Sequence, residues 1–155
     1  VCYTREWQED LAQRRIDLRL EGTVTALVRA DAEQIKQVLI NLVQNAADSI
    51  AQDGTVTLRA RLDSKPLRGI TRPVVALEVA DTGRGMTPEI EKRLFDPFFT
   101  TKAGGTGLGL SIAARFVEKH GGLLQYATQV NRGTAFGIVL PRMPDDSADR
   151  QNPAH

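Results

Sequence analysis

The chain has 155 residues, 41% hydrophobic and 25% charged, with a formal net charge of +1. That length fits one domain whose core needs neither disulfides nor a structural metal, and the near-neutral charge makes no electrostatic case for nucleic acid or a membrane surface. The one cysteine, Cys2, cannot form an internal disulfide and fits a reducing compartment, and no apolar run approaches the ~20 residues that span a bilayer. Residues 1–15 carry no apolar signal core. The chain does not begin with Met and is expected to be a piece of a longer protein.

In chain order, residues 1–15 read as an arm or the end of a preceding helix, with Trp7 and Leu11 one turn apart. Residues 16–22 alternate weakly and suggest a strand, and Leu27 to Ala30 a second short one. Asp31 with Gln34 is a capping-box start. The helix that follows carries Ile35, Val38, Leu39, Leu42, Val43, Ala46, Ala47 and Ile50 on one face. Residues 52–54 end it. Residues 55–62 alternate as a strand, 64–73 read as a loop, and 74–81 as another strand. Thr87 caps a short helix with Pro88 at its first position. Residues 95–107 read as a mobile loop. Thr106 then caps a helix bearing Leu108, Ile112, Ala113, Phe116 and Val117, which Gly121 and Gly122 stop. Residues 123–128 and 134–140 read as a hairpin joined through QVNRG. The tail after Met143 is polar and expected to be disordered. Interleaved helices and strands ending in an adjacent strand pair imply an α/β sandwich with a mixed sheet.

Four segments carry chemistry. In NLVQNAAD (41–48), Asn41, Asn45 and Asp48 fall within an arc of about 60°, away from the apolar stripe. Amide oxygens are neutral hard ligands, suited to Mg²⁺ whose charge phosphates already balance; alternatively this is a solvated polar face. In DTGRGM (81–86), a strand delivers Asp81 into a loop whose Gly83 and Gly85 let backbone approach a ligand closely. A fixed carboxylate there can accept from the exocyclic amine of adenine, whereas guanine would set an acceptor against it. A plain tight turn is the competing reading. In GGTGLGLS (104–111), glycines open a helix whose free N–H groups suit phosphate, with Lys102 just upstream; a flexible linker is the bland alternative, and neither the P-loop nor the Rossmann pattern fits. In FDPFFTTK (95–102), three Phe flank a Pro beside the glycine loop, as a lid hinge or as core packing.

In this order the segments closely resemble the catalytic and ATP-binding domain of two-component sensor histidine kinases, in the GHKL superfamily, over roughly residues 16–141. NLVQNAAD resembles the N box, DTGRGM the first glycine box, FDPFF the F box and GTGLGL the second glycine box. GTAF (133–136) resembles the closing motif, and the wording FDPFFTTK is similar to the nitrogen-regulation branch. The resemblance implies a Bergerat-type two-layer α/β sandwich: a mixed, mostly antiparallel sheet against about three helices, with a flexible ATP lid. It implies ATP and Mg²⁺ as ligands, with Asn45 and Asn41 facing the metal. Asp81 would bind adenine with support from Thr134, beside Gly83, Gly85 and Met86. Thr106, Gly107, Leu108, Gly109 and Leu110 would surround the phosphates, with Lys102 reaching them from the lid. Asp48 falls near the phosphates, where some relatives carry a basic residue. The implied partners are the parent's own dimerisation domain, which carries the phosphoacceptor histidine, and a downstream response regulator. A cytoplasmic setting and a monomeric fragment without direct membrane contact also follow.

No acceptor histidine is expected in this chain, hence no catalytic residue of its own. His120 lies at a helix end, where a cation suits the dipole, and His155 closes a polar tail. ATPases and serine kinases of the same superfamily place a Glu four residues before the magnesium Asn as general base. Here that position is Asn41, which cannot take a proton at neutral pH. Very slow hydrolysis follows. A non-catalytic nucleotide-binding module is the competing class.

Overall fold

The apolar stripe of residues 32–50 dictates the first layer. The computed structural model describes residues 9–22, 28–100 and 109–143. Helix α1 (Ala32–Ile50) buries Val38, Leu42, Val43, Ala46 and Ala47. Fully burying a side chain such as Leu42 contributes about 1.5–3 kcal/mol. Helix α2 (Pro88–Arg93) is short and starts as expected, the Thr87 hydroxyl accepting from the Ile90 amide at 3.4 Å. Helix α3 (Gly109–Lys119) buries Ala113 and Val117.

The second layer is one sheet of β1 (Ile16–Glu21), β2 (Gly54–Leu67), β3 (Ile70–Asp81), β4 (Leu123–Gln129) and β5 (Gly133–Pro141), in the order β1-β2-β3-β5-β4. β1 runs parallel to β2 and the other pairs are antiparallel. Val56, Val79, Phe136 and Ile138 join the helices in the main core, so the expected mixed two-layer sandwich is present. On the opposite face Arg59 pairs with Glu21 at 2.7 Å and Glu78 at 2.8 Å, lacing three neighbouring strands in register. Among the described residues no helix is long and apolar enough to cross a bilayer.

Residues 64–73 are not a loop. β2 and β3 pair continuously to Leu67↔Ile70, and Arg68 and Gly69, both at positive φ, form a two-residue turn between them. The prolines that suggested a loop sit where the ladder needs no donor. The Pro73 carbonyl accepts from the Arg142 amide, so its backbone points away from β2. Pro66, opposite Thr71, has the same parity and lies beyond the end of β1.

The expected strand at 27–30 reduces to a single bridge, Val28 with Arg142. Residues 9–13 are helical, and Leu11 is buried in the main core. Trp7, Cys2, His155 and the tail from 144 lie outside the described residues, as does Leu27.

The capping box is half made. The Asp31 carboxylate accepts from the Glu33 and Gln34 amides at 3.0 and 3.2 Å. The return bond from Gln34 is not formed, and its buried Oε1 has no partner among the described residues. Instead the Asp31 amide donates to Nε2 of His120 at 2.9 Å, while Nδ1 lies 2.6 Å from the Phe116 carbonyl. A ring that accepts at Nε2 carries its proton on Nδ1. His120 is therefore a structural brace between the start of α1 and the end of α3, at the helix end where the sequence places it.

Candidate nucleotide-binding site

β3 carries Asp81 to the rim of the sheet, and the loop after it folds back on the carboxylate. Asp81 Oδ1 accepts from the Gly83 amide at 2.8 Å and the Thr134 amide at 3.3 Å. Burial pushes this carboxyl above its ordinary range, against these two hydrogen bonds and a third from the Ser49 side chain. The result is a desolvated acceptor fixed by three donors.

The loop glycines serve close packing against protein. A Cβ on Gly83 would sit 2.7 Å from the Ser49 carbonyl carbon. One on Gly85, at φ +68, would sit 2.1 Å from the Gln129 carbonyl oxygen. The loop is thus pinned between the end of α1 and the β4–β5 turn. The Arg84 carbonyl accepts from the Asn131 amide at 2.7 Å. The Met86 amide donates to the Thr128 hydroxyl at 2.9 Å, which lies 2.8 Å from the Thr134 hydroxyl.

The asparagine face of α1 looks towards the first turn of α3. The Asn41 amide donates to the Gly109 carbonyl at 3.4 Å and its oxygen accepts from Gln37 at 3.4 Å, both long contacts. Asn45 lies one turn further along the same face, half-buried. Asp48 is engaged elsewhere: Arg14 donates to its Oδ1 at 2.8 Å and also pairs with Asp10. The Asp48 bond leads the causes that push the Arg14 guanidinium up. Asp48 thus anchors the segment before β1. Leu110 turns its side chain into the core. Lys102, Thr106, Gly107 and Leu108 lie outside the described residues.

The three Phe of residues 95–99 part ways. Phe95 meets Tyr126, which meets Phe136, with ring centroids 6.1 and 5.8 Å apart. Burial first, then Glu91, pushes the Tyr126 phenol up. Phe98 is 76% exposed, at φ +69. Phe99 lies under the Arg93 guanidinium at 4.6 Å. Phe95, 38% exposed, thus leans on the edge of the core through Tyr126, and neither it nor Phe98 is buried.

Residues 30–144 match the family model described as histidine kinase-, DNA gyrase B-, and HSP90-like ATPase. The chain belongs to this ATPase family. It is 37% identical over 134 residues to sensor histidine kinase ZraS of Salmonella typhi, a match covering 86% of this chain and 27% of the relative. The chain thus spans roughly a quarter of the curated relative. Among solved structures, the catalytic domain of histidine kinase ThkA superposes with a TM-score of 0.73 at 35% identity, covering 88% of this chain and 85% of that one. Full-length ShkA in complex with AMPPNP superposes with a TM-score of 0.73 at 26% identity, covering 91% and 29%. ThkA in complex with response regulator protein TrrA gives 0.69 at 32% identity, covering 89% and 37%. This chain is accordingly a histidine-kinase-type ATP-binding domain.

Within this domain, Asp81, Gly83, Gly85, Met86 and Thr134 gather at one end of the sheet, and Asn41 meets Gly109 between α1 and α3. Sequence reasoning missed Ser49 and Thr128. Thr128 was findable, because the hairpin register sets it directly opposite Thr134. Ser49 had no such signal: its role depends on how closely the glycine loop approaches α1.

The donor chemistry suits a magnesium nucleotide. Among the described residues no group of three acidic, His or Cys side chains could hold a bare cation. The α1 face offers neutral amides, so a divalent ion there needs charge from phosphate.

Proposed function

We propose that this chain holds Mg-ATP and presents its γ-phosphoryl group to a histidine on a separate dimerisation domain, as the catalytic half of a sensor histidine kinase. The observation that carries the reading is Asp81, a desolvated carboxylate fixed by Gly83, Thr134 and Ser49. Asp81 accepts from the adenine amine, with Thr134 beside it and Gly83, Gly85 and Met86 shaping the loop. Asn45 and Asn41 would hold Mg²⁺ through their amide oxygens. Backbone around Thr106, Gly107, Leu108, Gly109 and Leu110 would supply the phosphate contacts, with Lys102 as their positive charge. Mg²⁺ supplies neutralisation of phosphate charge. In the transfer, an imidazole nitrogen bonds to phosphorus as the bridging P–O bond breaks, and ADP leaves. The imidazole belongs to the partner domain, since His120 is committed to its brace.

On this reading residues 1–15 are an arm or the end of a preceding helical domain, 16–141 the ATP-binding domain and 142–155 the tail. The pair Arg14–Asp48 supports a fixed junction between arm and domain. The nucleotide domain by itself acts as a monomer. A response regulator downstream and a cytoplasmic setting complete the reading, the former supported by the ThkA–TrrA complex.

The test mixes this chain with labelled ATP and the parent's dimerisation domain and looks for acid-labile, base-stable phosphohistidine. The expected result is labelling lost with Asn45→Ala. ATP binding without labelling, under conditions in which the full-length parent autophosphorylates, favours a binding-only module.

A further inference from the structure

We infer that the acidic segment following Met143, which carries Asp145, Asp146 and Asp149, docks by charge into a cationic cavity at the end of the sandwich remote from Asp81. The inference does not depend on the nucleotide reading. β5 runs from Gly133, packed against Asp81, to Pro141 at the cavity, so the length of that strand separates the two sites. The cavity encloses about 550 Å³ where the start of α1, the end of α3 and the chain leaving β5 meet. Arg29, Lys119 and Arg142 line it, one from each of these segments, and Arg142 is half-buried. Among the described residues, none of these three side chains has an ion-pair or hydrogen-bond partner. Asp31 is the one carboxylate on the wall, and it is committed to the Glu33 and Gln34 amides. The acidic neighbours in sequence, Glu33 and Glu118, do not line the cavity. The wall therefore sets three cations against one occupied carboxylate.

A complementary occupant must bring several negative charges, and the chain itself carries them to the rim. The Arg142 amide donates to the Pro73 carbonyl at 3.0 Å and Arg142 bridges to Val28, which fixes where the chain leaves the sheet. Met143 is still part of the wall, and the next six residues read PDDSAD. An extended chain gains at most about 3.6 Å per residue, so Asp145 and Asp146 stay within roughly 7–11 Å of Met143.

Magnitudes favour this tethered occupant over a free anion. An exposed ion pair favours its closed form by up to about fivefold. A free anion held by a few such pairs binds weakly, because it also gives up its translational freedom. A segment tethered at Met143 meets the wall at an effective concentration in roughly the millimolar range, so two or three such pairs suffice to hold it. Docked there, it would join α1, α3 and β5 at the end where His120 already links Asp31 to Phe116.

The test follows the backbone amide signals of the whole chain by NMR at low and high salt. It compares the native sequence with Asp145→Asn/Asp146→Asn/Asp149→Asn and with Arg29→Gln/Lys119→Gln/Arg142→Gln. At low salt, residues 145–149 of the native chain should relax as part of the folded domain. In either variant, or at about 0.5 M salt where screening is strong, they should relax as a free chain end. The Asp→Asn variant should also shift the amides of Arg29, Lys119 and Arg142, and inorganic phosphate should shift those amides only once that variant has emptied the cavity. Free-end relaxation of residues 145–149 in the native chain at low salt would overturn the inference. Domain-like relaxation that survives the Asp→Asn changes would overturn it too, because the contact would then not be ionic. Equal shifts by inorganic phosphate in the native and Asp→Asn chains would show an open anion site in place of a tethered one.

Discussion

Replacing Asp81 with Asn separates the demands of folding from those of binding. The two backbone donors, Gly83 at 2.8 Å and Thr134 at 3.3 Å, both address Oδ1. An amide oxygen can keep both bonds, with the Ser49 hydroxyl turned to accept from the new NH₂ group. Folding therefore loses little. Because burial raises the Asp81 carboxyl above its unfolded value, the ionised form costs stability at neutral pH. The native state binds that proton more readily than the unfolded chain, so this group's contribution is fully present below the unfolded pKa. It is lost as pH rises through the folded one. The neutral amide removes the cost, and the melting temperature at pH 7.5 should hold or rise. Binding moves the other way: adenine's amine would meet an NH₂ in place of a charged acceptor. Loss of a charge-assisted hydrogen bond costs about 1.5–3 kcal/mol, roughly 12- to 160-fold in Kd. Calorimetric titration with Mg-ATP and a thermal melt on the same sample read both. A drop in melting temperature with unchanged affinity would refute the reasoning, because Asp81 would then serve the fold and not the base.

Acidification provides a second route to that carboxylate: Mg-ATP affinity should fall as pH drops through the raised Asp81 pKa, and the part of the pH profile that disappears in Asp81→Asn measures it. With Asn41 where hydrolysing relatives carry a base, ATP turnover should be very slow; release of phosphate at rates typical of an ATPase, abolished by Asn45→Ala, would remove the kinase reading. His120→Ala leaves the Asp31 amide without its partner, while the Phe116 carbonyl keeps the residue-120 amide at 3.2 Å, so chemical denaturation should show a loss of about 1–3 kcal/mol while nucleotide affinity is kept. Phe98→Ser should leave stability within about 0.5 kcal/mol, as for an exposed residue; if the exposed ring contacts the dimerisation domain, phosphohistidine formation with that domain should fall, and undiminished labelling would rule such a contact out.

Much of the fold was legible because local signals agreed with the packing. The stripe from Ile35 to Ile50 demanded α1, and the alternation of residues 55–62 demanded β2. The β2–β3 hairpin was misread because Pro66 and Pro73 signal loops unless the side their backbone nitrogens face is known, and only the strand order supplies that. The capping box is only half made for a similar reason. Asp31 and Gln34 are local, but the donor's actual partner, His120, arrives from 89 residues away. At the site, motif spacing drew attention to Asp81 and Thr134, whereas Ser49 and Thr128 came from contacts between elements. Asp48 shows the limit of a helical wheel. It shares a face with Asn41 and Asn45, yet Arg14 holds it, and nothing in residues 41–48 encodes Arg14.

The parallel pairing of β1 with β2 has a topological consequence. Two parallel neighbours cannot be joined by a tight turn, so the chain between them must cross over the sheet, and α1 is that crossover. The helix bearing Asn41 and Asn45 is therefore suspended between two strands that must first find each other across a gap in sequence. Antiparallel β2 and β3 can zip locally from Arg68-Gly69, whereas β1 must reach β2 across the whole of α1. Shortening the protein past residue 16 would remove more than an edge strand: it would untether one end of the crossover that aims the asparagines.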